Sequence, residues 1–542
     1  MSRAELRLPF DPATPVPAVA DLGRVHLIAI GGAGMSAVAR LLRAAGVPVS
    51  GSDAAVSEVT QSLASEGVTV HLGHDPAHLA DADTVVVSSA IREDNVELAA
   101  ARARHLRVLH RAQALAALAQ GRVGVAVAGA NGKTTTTAML TAVLRHAGMD
   151  PSFAIGGELV DLATNAAAGA GPAFVVEADE SDGSFLAYRP RVAVVTNVQP
   201  DHLDFYGTFA AVQAGYAAFA ATIQPGGLLL ACADDPGSAQ LAGDAQASGI
   251  RVVRYGSSAG AALRLTDTAQ DGLSGRARLH LAGRVFDLRV PVPGDHNLLN
   301  AAAAFGAAVA GLGADPQAVL AGLASYAGTR RRFEVKGEAA GVRVVDDYAH
   351  NPGKVAALVR TAAAMVGHGR LVVCFQPHLY SRTRDFAAQF GEALAAADVV
   401  LVLDVYAARE DPLPGVTGAL VADAVTTARA RARTGTEVSS GEPAGAGVRS
   451  GLVRFVAAGE DPVATLLRLV RPGDLVLTVG AGDVTRVGPL LLTALAAGDA
   501  AGDAAGDTAG DTAGDTAGDA AGGADPSQAG AGATTTREGL AQ

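Results

Sequence analysis

The feature that most constrains this chain is a strand that runs straight into a glycine-bearing turn and a helix. Val123 to Ala128 alternates valine with small residues, and Gly129-Ala130-Asn131-Gly132-Lys133-Thr134-Thr135 follows at once. Thr136, Met139, Leu140, Val143, Leu144 and Ala147 then recur at helical spacing until Gly148. In such a turn the backbone N–H groups point at a phosphate, and the helix N-terminus adds partial positive charge. Lys133 is placed to reach the β- and γ-phosphates and Thr134 to hold Mg²⁺. The spacing is not that of an ordinary P-loop, because Val127 stands where the first glycine is usual. A Gly-Lys-Thr turn can also arise without a ligand, but the flanking strand and helix favour nucleotide binding.

The same alternation of strand and helix recurs on both sides. Upstream, Val25 to Ile30 reads as a strand ending at Gly31-Gly32, followed by a helix with Met35, Val38, Ala39, Leu42 and Ala45 on one face. Val47 to Ser50 reads as the next strand, with Gly51-Ser52-Asp53 after it, and Val85 to Val87 as another, ending at Ser88-Ser89. Downstream of the phosphate turn, strands are expected at Phe174–Glu177, Val192–Thr196, Gly227–Cys232 and Val285–Val290, with a helix over Asn297–Gly311. A third set follows at Val342–Asp346, Leu371–Phe375, Val399–Leu403 and Leu475–Val479. This pattern implies an α/β protein with parallel sheets. The expected domains are residues 1–121, 122–327 and 328–496. Thr434 to Gly451 reads as a loop insertion. From Gly498 a four-residue Gly-Asp-Ala/Thr-Ala repeat has no apolar face, so 497–542 is expected to be a disordered acidic tail.

Composition limits the partners. A net charge of −12 over 542 residues argues against a general nucleic-acid binder, though a few placed Arg or Lys still hold an anion locally. Cys232 and Cys374 make neither a disulfide framework nor a zinc site, and read as buried thiols. The N-terminal residues lack an apolar run of signal-peptide type, and the two long uncharged stretches, 205–233 and 296–314, are broken by Pro, Gly, Gln or Asn. Cytoplasmic residence without membrane insertion is the expectation.

Several polar groupings carry candidate chemistry. Gly32-Ala33-Gly34-Met35-Ser36-Ala37 fits a G-x-G-x-x-A fingerprint, with Asp53 about 20 residues on. That pattern serves a dinucleotide, any other diphosphate or a tight turn alike. Glu177-Ala178-Asp179-Glu180-Ser181-Asp182 and Asp201-His202-Leu203-Asp204 follow central strands, where carboxylates face phosphates through metal ions, although such runs are also ordinary solvated loops. Asp295-His296-Asn297 with Asn300, Arg330 to Arg332, Asp346 to His350, and His378 to Arg382 are further candidates, each readable as a satisfied loop or cap.

Taken in order, these motifs resemble the Mur ligases of peptidoglycan synthesis. The matching pieces are IGGAGMS from Ile30, GSD from Gly51, NGKTTTT from Asn131, EADESDGSF from Glu177, DHLDFYG from Asp201 and HNLLNAAAA from His296. RRFE from Arg331, DDYAHNP from Asp346, FQPHLYSRT from Phe375 and DVYAARE from Asp404 complete the set. IGGAGMS and FQPHLYSRT are similar to the family's alanine-adding member. The alternative within the family is a ligase that joins a preformed peptide to the same sugar. Three departures stand out: Asn131 where the family usually has His, His350-Asn351-Pro352 where it has His-His-Pro, and Leu379 where an Arg is frequent.

The resemblance implies a Rossmann-like UDP-binding domain, a central P-loop ATPase-like domain and a Rossmann-like C-terminal domain. It implies ATP with Mg²⁺ or Mn²⁺, and UDP-N-acetylmuramate and L-alanine as substrates of a cytoplasmic cell-wall enzyme; monomer or dimer is left open. Gly129 to Thr135, with Asn297, Asn300, Arg332 and Asp347, would bind the nucleotide. Thr134, Glu177 and His202 would hold metal, and Lys133, Glu177, His202, His350 and Arg382 would carry the chemistry. Gly32, Gly34, Ser36, Asp53, Ser89, His378 and Arg382 would bind the substrates. Several sibling ligases hold a second metal with a carbamylated lysine of the central domain, but no lysine lies between Thr134 and Val335 here.

Overall fold

The computed structural model describes residues 14–408, 410–433 and 451–509. Three sheets follow one another along the chain. The first holds β1 (Val25–Ile28), β2 (Val49–Asp53), β3 (Thr69–Leu72), β4 (Thr84–Val87) and β5 (Arg107–His110). They run parallel in the order β3-β2-β1-β4-β5, which places the glycine turn after β1 where the strand order reverses.

The second sheet is built on β6 (Val123–Ala128), β7 (Ser152–Leu159), β8 (Thr164–Ala167), β9 (Ala173–Glu177), β10 (Val192–Val195) and β11 (Leu228–Cys232). It continues through β12 (Arg251–Gly256), β13 (Leu263–Asp271), β14 (Ser274–Leu281) and β15 (Arg284–Val290). The order is β15-β14-β13-β12-β11-β10-β6-β9-β7-β8, parallel except where β8, β14 and β15 pair antiparallel. β6 lies between β9 and β10, with Val125 level with Val175 and Val192. The phosphate turn therefore opens between the carboxyl ends of those two strands. The third sheet holds β16 (Glu334–Ala339), β17 (Val342–Asp347), β18 (Leu371–Phe375), β19 (Val399–Leu403), β20 (Leu452–Val456) and β21 (Leu475–Val479), ordered β16-β17-β21-β18-β19-β20.

The cores follow the composition. With 8 Tyr, 14 Phe and no Trp, aliphatic residues and alanine fill them. The helix Asp295–Gly306 buries a run of four alanines, Ala301 to Ala304, against the second sheet. Small side chains let helix and sheet approach closely; a Cβ on Gly306 would lie 2.5 Å from Leu230. Both cysteines are buried and free. Among the described residues no helix is long and apolar enough to cross a membrane.

Two readings of the sequence need correction. The second strand is not Val47–Ser50 but Val49–Asp53, so Gly51-Ser52-Asp53 is strand rather than the turn after it. A Cβ on Gly51 would stand 2.7 Å from the Leu27 carbonyl oxygen, so glycine here permits the close approach of β2 to β1. The helix from Asp295 ends its regular part at Gly306 and continues as a π-turn over Ala307–Gly311. The last helix, Val487–Ala509, extends over the first copies of the repeat. Its first turns are anchored by buried Val487 and Leu491, and adding alanines to a formed helix is cheap where starting one is not. The remaining repeats, 510–542, and the loop insertion over 434–450 lie outside the described residues, as do residues 1–13.

Candidate active site

The phosphate loop takes its shape from two left-handed glycines. Gly129 has φ 139° and Gly132 φ 85°, and a Cβ on either would collide with Thr196 or Asn300 respectively. Residues after β10 brace the loop. The Asn131 N–H donates to Asn197 Oδ1 at 2.9 Å, while its carbonyl accepts from Thr196 Oγ1 at 2.6 Å and Asn197 Nδ2 at 3.0 Å. The Asn131 side chain donates to Gln199 at 3.0 Å. The unusual Asn131 is thus tied to its neighbours, with Ala130 buried behind it. Sequence reading gave no role to Thr196, Asn197 or Gln199; their position just past a central strand was the available signal.

Lys133 opens the helix Lys133–His146, and its ammonium donates to the Gly129 carbonyl and to Glu180 Oε1, both at 2.7 Å. Burial disfavours its charge, but Glu180, Asp179 and Glu177 outweigh burial and hold the lysine above its ordinary pKa. Glu180 is almost fully buried, and among the described residues its second oxygen has no hydrogen-bond partner. Thr134 Oγ1 donates to Glu177 Oε1 at 2.9 Å, and Glu177 Oε2 accepts the Gly156 N–H at 2.7 Å. His202 adopts φ 54°, with Nε2 at 3.8 Å from Glu180 and 3.9 Å from Asp201. A non-glycine residue held left-handed beside a phosphate loop marks a position fixed by its surroundings.

Across the loop lies a cavity of ≈ 260 Å³ lined by both the central and the C-terminal parts of the chain. Asn131, Gly132, Thr135, Asn297 and Asn300 line one wall, and Arg332, Asp347 and Lys354 line the other. The Asn300 amide donates to Asn297 Oδ1 at 3.1 Å and accepts from Thr136 Oγ1 at 3.1 Å, while Asn297 Nδ2 donates to the Pro293 carbonyl at 2.6 Å. These two asparagines therefore lock their helix to the phosphate-loop helix as well as lining the cavity. Arg332 crosses between walls and donates to Thr134 Oγ1 at 3.1 Å. Its neighbour Arg331 turns the other way, to Asp346 and to the Gly480 and Gly482 carbonyls. Asp347 accepts the N–H groups of Phe333 and Ala349, and burial raises its pKa in spite of Arg332.

His350, His378 and Arg382 form a separate group past the carboxyl ends of β17 and β18. The His350 ring stands 5.8 Å from that of His378, which stacks on Tyr406 and approaches Arg382 Nη1 at 3.4 Å. His350 Nδ1 donates to the Tyr348 carbonyl, and burial followed by the Lys354 charge keeps its pKa well below the ordinary value.

The N-terminal candidates divide. Asp53 accepts the Gly31 N–H at 2.8 Å and so shapes the first glycine turn, and Gly32 caps the helix Ala33–Ala44. A Cβ on Gly34 would lie 2.7 Å from the Arg111 guanidinium, so Arg111 covers this turn, and it also stands 3.5 Å from Asp179 of the second sheet's domain. Arg111 was missed from sequence, although it follows directly on β5. Ser89 donates to Asp182 at 2.7 Å and joins the two domains. Ser36 is buried, and its hydroxyl donates to the Ala33 carbonyl of its own helix at 3.0 Å.

A buried lysine and a hydroxyl–carboxylate pair on one domain, facing an arginine and a lysine of another across a cleft, make a phosphate-transfer enzyme whose site spans domains. The chain belongs to the Mur ligase family. The family's catalytic domain matches residues 24–122, the Mur ligase middle domain 127–308, and the glutamate ligase domain 331–482. The chain is 60% identical to the UDP-N-acetylmuramate–L-alanine ligase of Kineococcus radiotolerans over 89% of its own length and 98% of that protein. It is 50% identical to the enzyme of the same name from Saccharopolyspora erythraea, over 88% of this chain and 95% of the other. Among solved structures it is similar to the UDP-N-acetylmuramate-alanine ligase of Thermotoga maritima, with TM-score 0.70, 28% identity and coverage of 87% and 98%. A murein peptide ligase from Psychrobacter arcticus shares the fold at 24% identity and TM-score 0.62, over 88% of this chain and 99% of that one.

Proposed function

We propose that this chain joins L-alanine to UDP-N-acetylmuramate with hydrolysis of ATP to ADP and phosphate, in the cytoplasm. The observation that carries the reading is the meeting of Lys133, the Thr134–Glu177 pair and Arg332 at one loop, in a chain 60% identical to a UDP-N-acetylmuramate–L-alanine ligase.

The lactyl carboxylate of the sugar attacks the γ-phosphorus, ADP leaves, and an acyl phosphate forms. The alanine amine then attacks the acyl carbon, phosphate leaves, and the amine proton is lost. Two anions must meet in the first step, so positive charge fixed in place is the main requirement. Lys133 supplies it from below the phosphates, where Glu180 holds its ammonium. Arg332 supplies it from the opposite domain. Oxygen donors at Thr134 and Glu177, together with the unpaired buried oxygen of Glu180, suit a hard divalent cation. Among the described residues no three His, Cys, Asp or Glu side chains converge to hold a metal by themselves, so phosphates and water would complete the shell. Magnesium, or manganese in its place, would be held by Thr134 and Glu177, with His202 toward a second ion, and would neutralise phosphate charge. His350, His378 and Arg382 are proposed to serve the amino-acid and muramyl side. Gly32 and Gly34, with Arg111 added, are proposed to hold the UDP diphosphate, and Asp53 to shape their turn through the Gly31 N–H and to serve the rest of the UDP moiety. Closure of the domains would keep water from the acyl phosphate.

The test is phosphate release from ATP in the presence of UDP-N-acetylmuramate and a panel of amino acids plus one tripeptide. Release dependent on both the sugar nucleotide and L-alanine supports the reading. Release with the tripeptide and not with L-alanine overturns it.

A further inference from the structure

Lys354 stands against three ordinary rules at once. It is the third residue of the helix Pro352–Met365, whose first turn disfavours a cation, and its N–H is capped by Asn351 Oδ1 at 2.9 Å. It is largely buried in the cavity wall. Yet among the described residues its ammonium makes no hydrogen bond or ion pair, whereas Lys133, whose charge it feels, makes two hydrogen bonds. An unmatched cation in such a place destabilises the empty protein and is explained by a ligand that carries the matching charge.

The helix also has the right run. Gly353, Lys354, Ala357, Leu358 and Thr361 share the face that lines the cavity. At one end Thr361 borders the turn of Gly294 and His296: a Cβ on Gly294 would lie 2.5 Å from His296 and 3.3 Å from Thr361 Oγ1. At the other, Lys354 feels the charges of Lys133, Arg332, Asp201 and Glu180. Seven residues of helix separate these ends by about 10 Å, so one face of the helix runs from the phosphate-loop side of the cavity to its far end.

Resting on the ATP reading above, we propose that Lys354 binds the terminal phosphates of the nucleotide from the C-terminal wall, opposite Lys133, while the Thr361 end of the same helix borders the base. The triphosphate thereby draws the two walls together.

Protonation gives this a second signature. Burial first, then Lys133 and Arg332, push the Lys354 pKa down to about 8, while Asp201 and Glu180 oppose them. Buried Asp347 and His350 are the other titratable groups on its own side. In the empty protein the charge of Lys354 is therefore a penalty below about pH 8, relieved as pH rises through that value. Phosphate binding favours the charged form, so ATP binding takes up a proton and weakens above pH 8.

The experiment is calorimetric titration of ATP and AMP into the full chain, as wild type, Lys354→Gln and Lys354→Arg. Lys354→Gln is expected to weaken ATP by about tenfold to a hundredfold while AMP stays within about twofold, and Lys354→Arg to restore most of the ATP affinity. Wild-type ATP affinity falls about tenfold from pH 7 to 9, and the Arg variant stays nearly flat. The melting temperature of ligand-free Lys354→Gln at pH 7 is no lower than that of wild type. Equal losses for ATP and AMP, or no loss for ATP, or the same pH slope in the Arg variant, would overturn the proposal. A wild-type chain that binds no ATP would overturn the ATP reading with it.

Discussion

Two lysines feel each other's charge where the central and C-terminal parts of the chain meet, and they are prepared in opposite ways. Lys133 is complete without a ligand, with a carbonyl and a buried carboxylate on its ammonium. Lys354 has neither and depends on what enters. The central wall is therefore organised in advance, through the Thr196–Asn197 brace and the Asn300–Thr136 bond. The C-terminal wall is tied to it by Arg332 on Thr134 and waits for further charge. A site divided this way fixes its phosphate loop rigidly and leaves domain closure to be driven by substrate, which suits a reaction that must exclude water only once it is loaded.

The comparison breaks most visibly at Lys133. Lys133→Ala should lower turnover by about 10²- to 10³-fold, the usual loss for one transition-state charge contact. It should also lower the melting temperature, because buried Glu180 loses its counter-ion, a change worth about 3 kcal/mol when one partner of a buried pair is removed. Lys354→Gln should do the reverse to the empty protein. If both variants lower stability alike, the two lysines are not prepared differently.

A smaller effect is expected from His378→Ala and Arg382→Ala. These side chains stand with Tyr406 and His350 past the carboxyl ends of the third sheet's strands, outside the lining of the cavity. Ligation should fall by about tenfold to a hundredfold, as for loss of one charge-assisted contact, with ATP affinity nearly unchanged. Nucleotide affinity and steady-state rate measured on the same variant separate the two. Parallel losses would merge this group with the nucleotide wall.

Much of this was legible in the sequence because periodicity and glycine placement are local. β6, β18, β19 and β21 run as their apolar patterns predict, and the phosphate loop sits between strand and helix as read. What could not be read depends on distant packing. Gly51 looked like a turn because its contact with Leu27 lies across the sheet. The bond from the Ser36 hydroxyl to Ala33 belongs to the formed helix, which a motif does not spell out. Lys354 was invisible as a site residue, since nothing local distinguishes a lysine in a first turn that faces solvent from one that faces a phosphate loop more than 200 residues earlier. Arg331 and Arg332 are adjacent in sequence yet serve different domains, a division that only the fold decides.

The smallest effect expected is none at all, and it tests the sign of the charge at Lys354. The chain has three lysines, Lys133, Lys336 and Lys354, and no lysine lies between Thr134 and Val335 to carry a carbamate in the central domain. Lys336 pairs with Glu334 at 2.9 Å. Lys354 is the exception, because a lysine whose pKa is near 8 has a larger share of neutral amine, the form that attacks CO₂. If it acts as a phosphate-binding cation, carbamylation would replace a positive charge with a negative one facing phosphates and should not assist catalysis. Ligation in CO₂-depleted buffer at mildly acidic pH should therefore be unchanged when bicarbonate is added at constant pH. A several-fold rescue in wild type, absent from Lys354→Arg, would place a carbamate on Lys354. The C-terminal wall would then contribute an anion for a metal, and the contrast between the two lysines would be one of opposite charge.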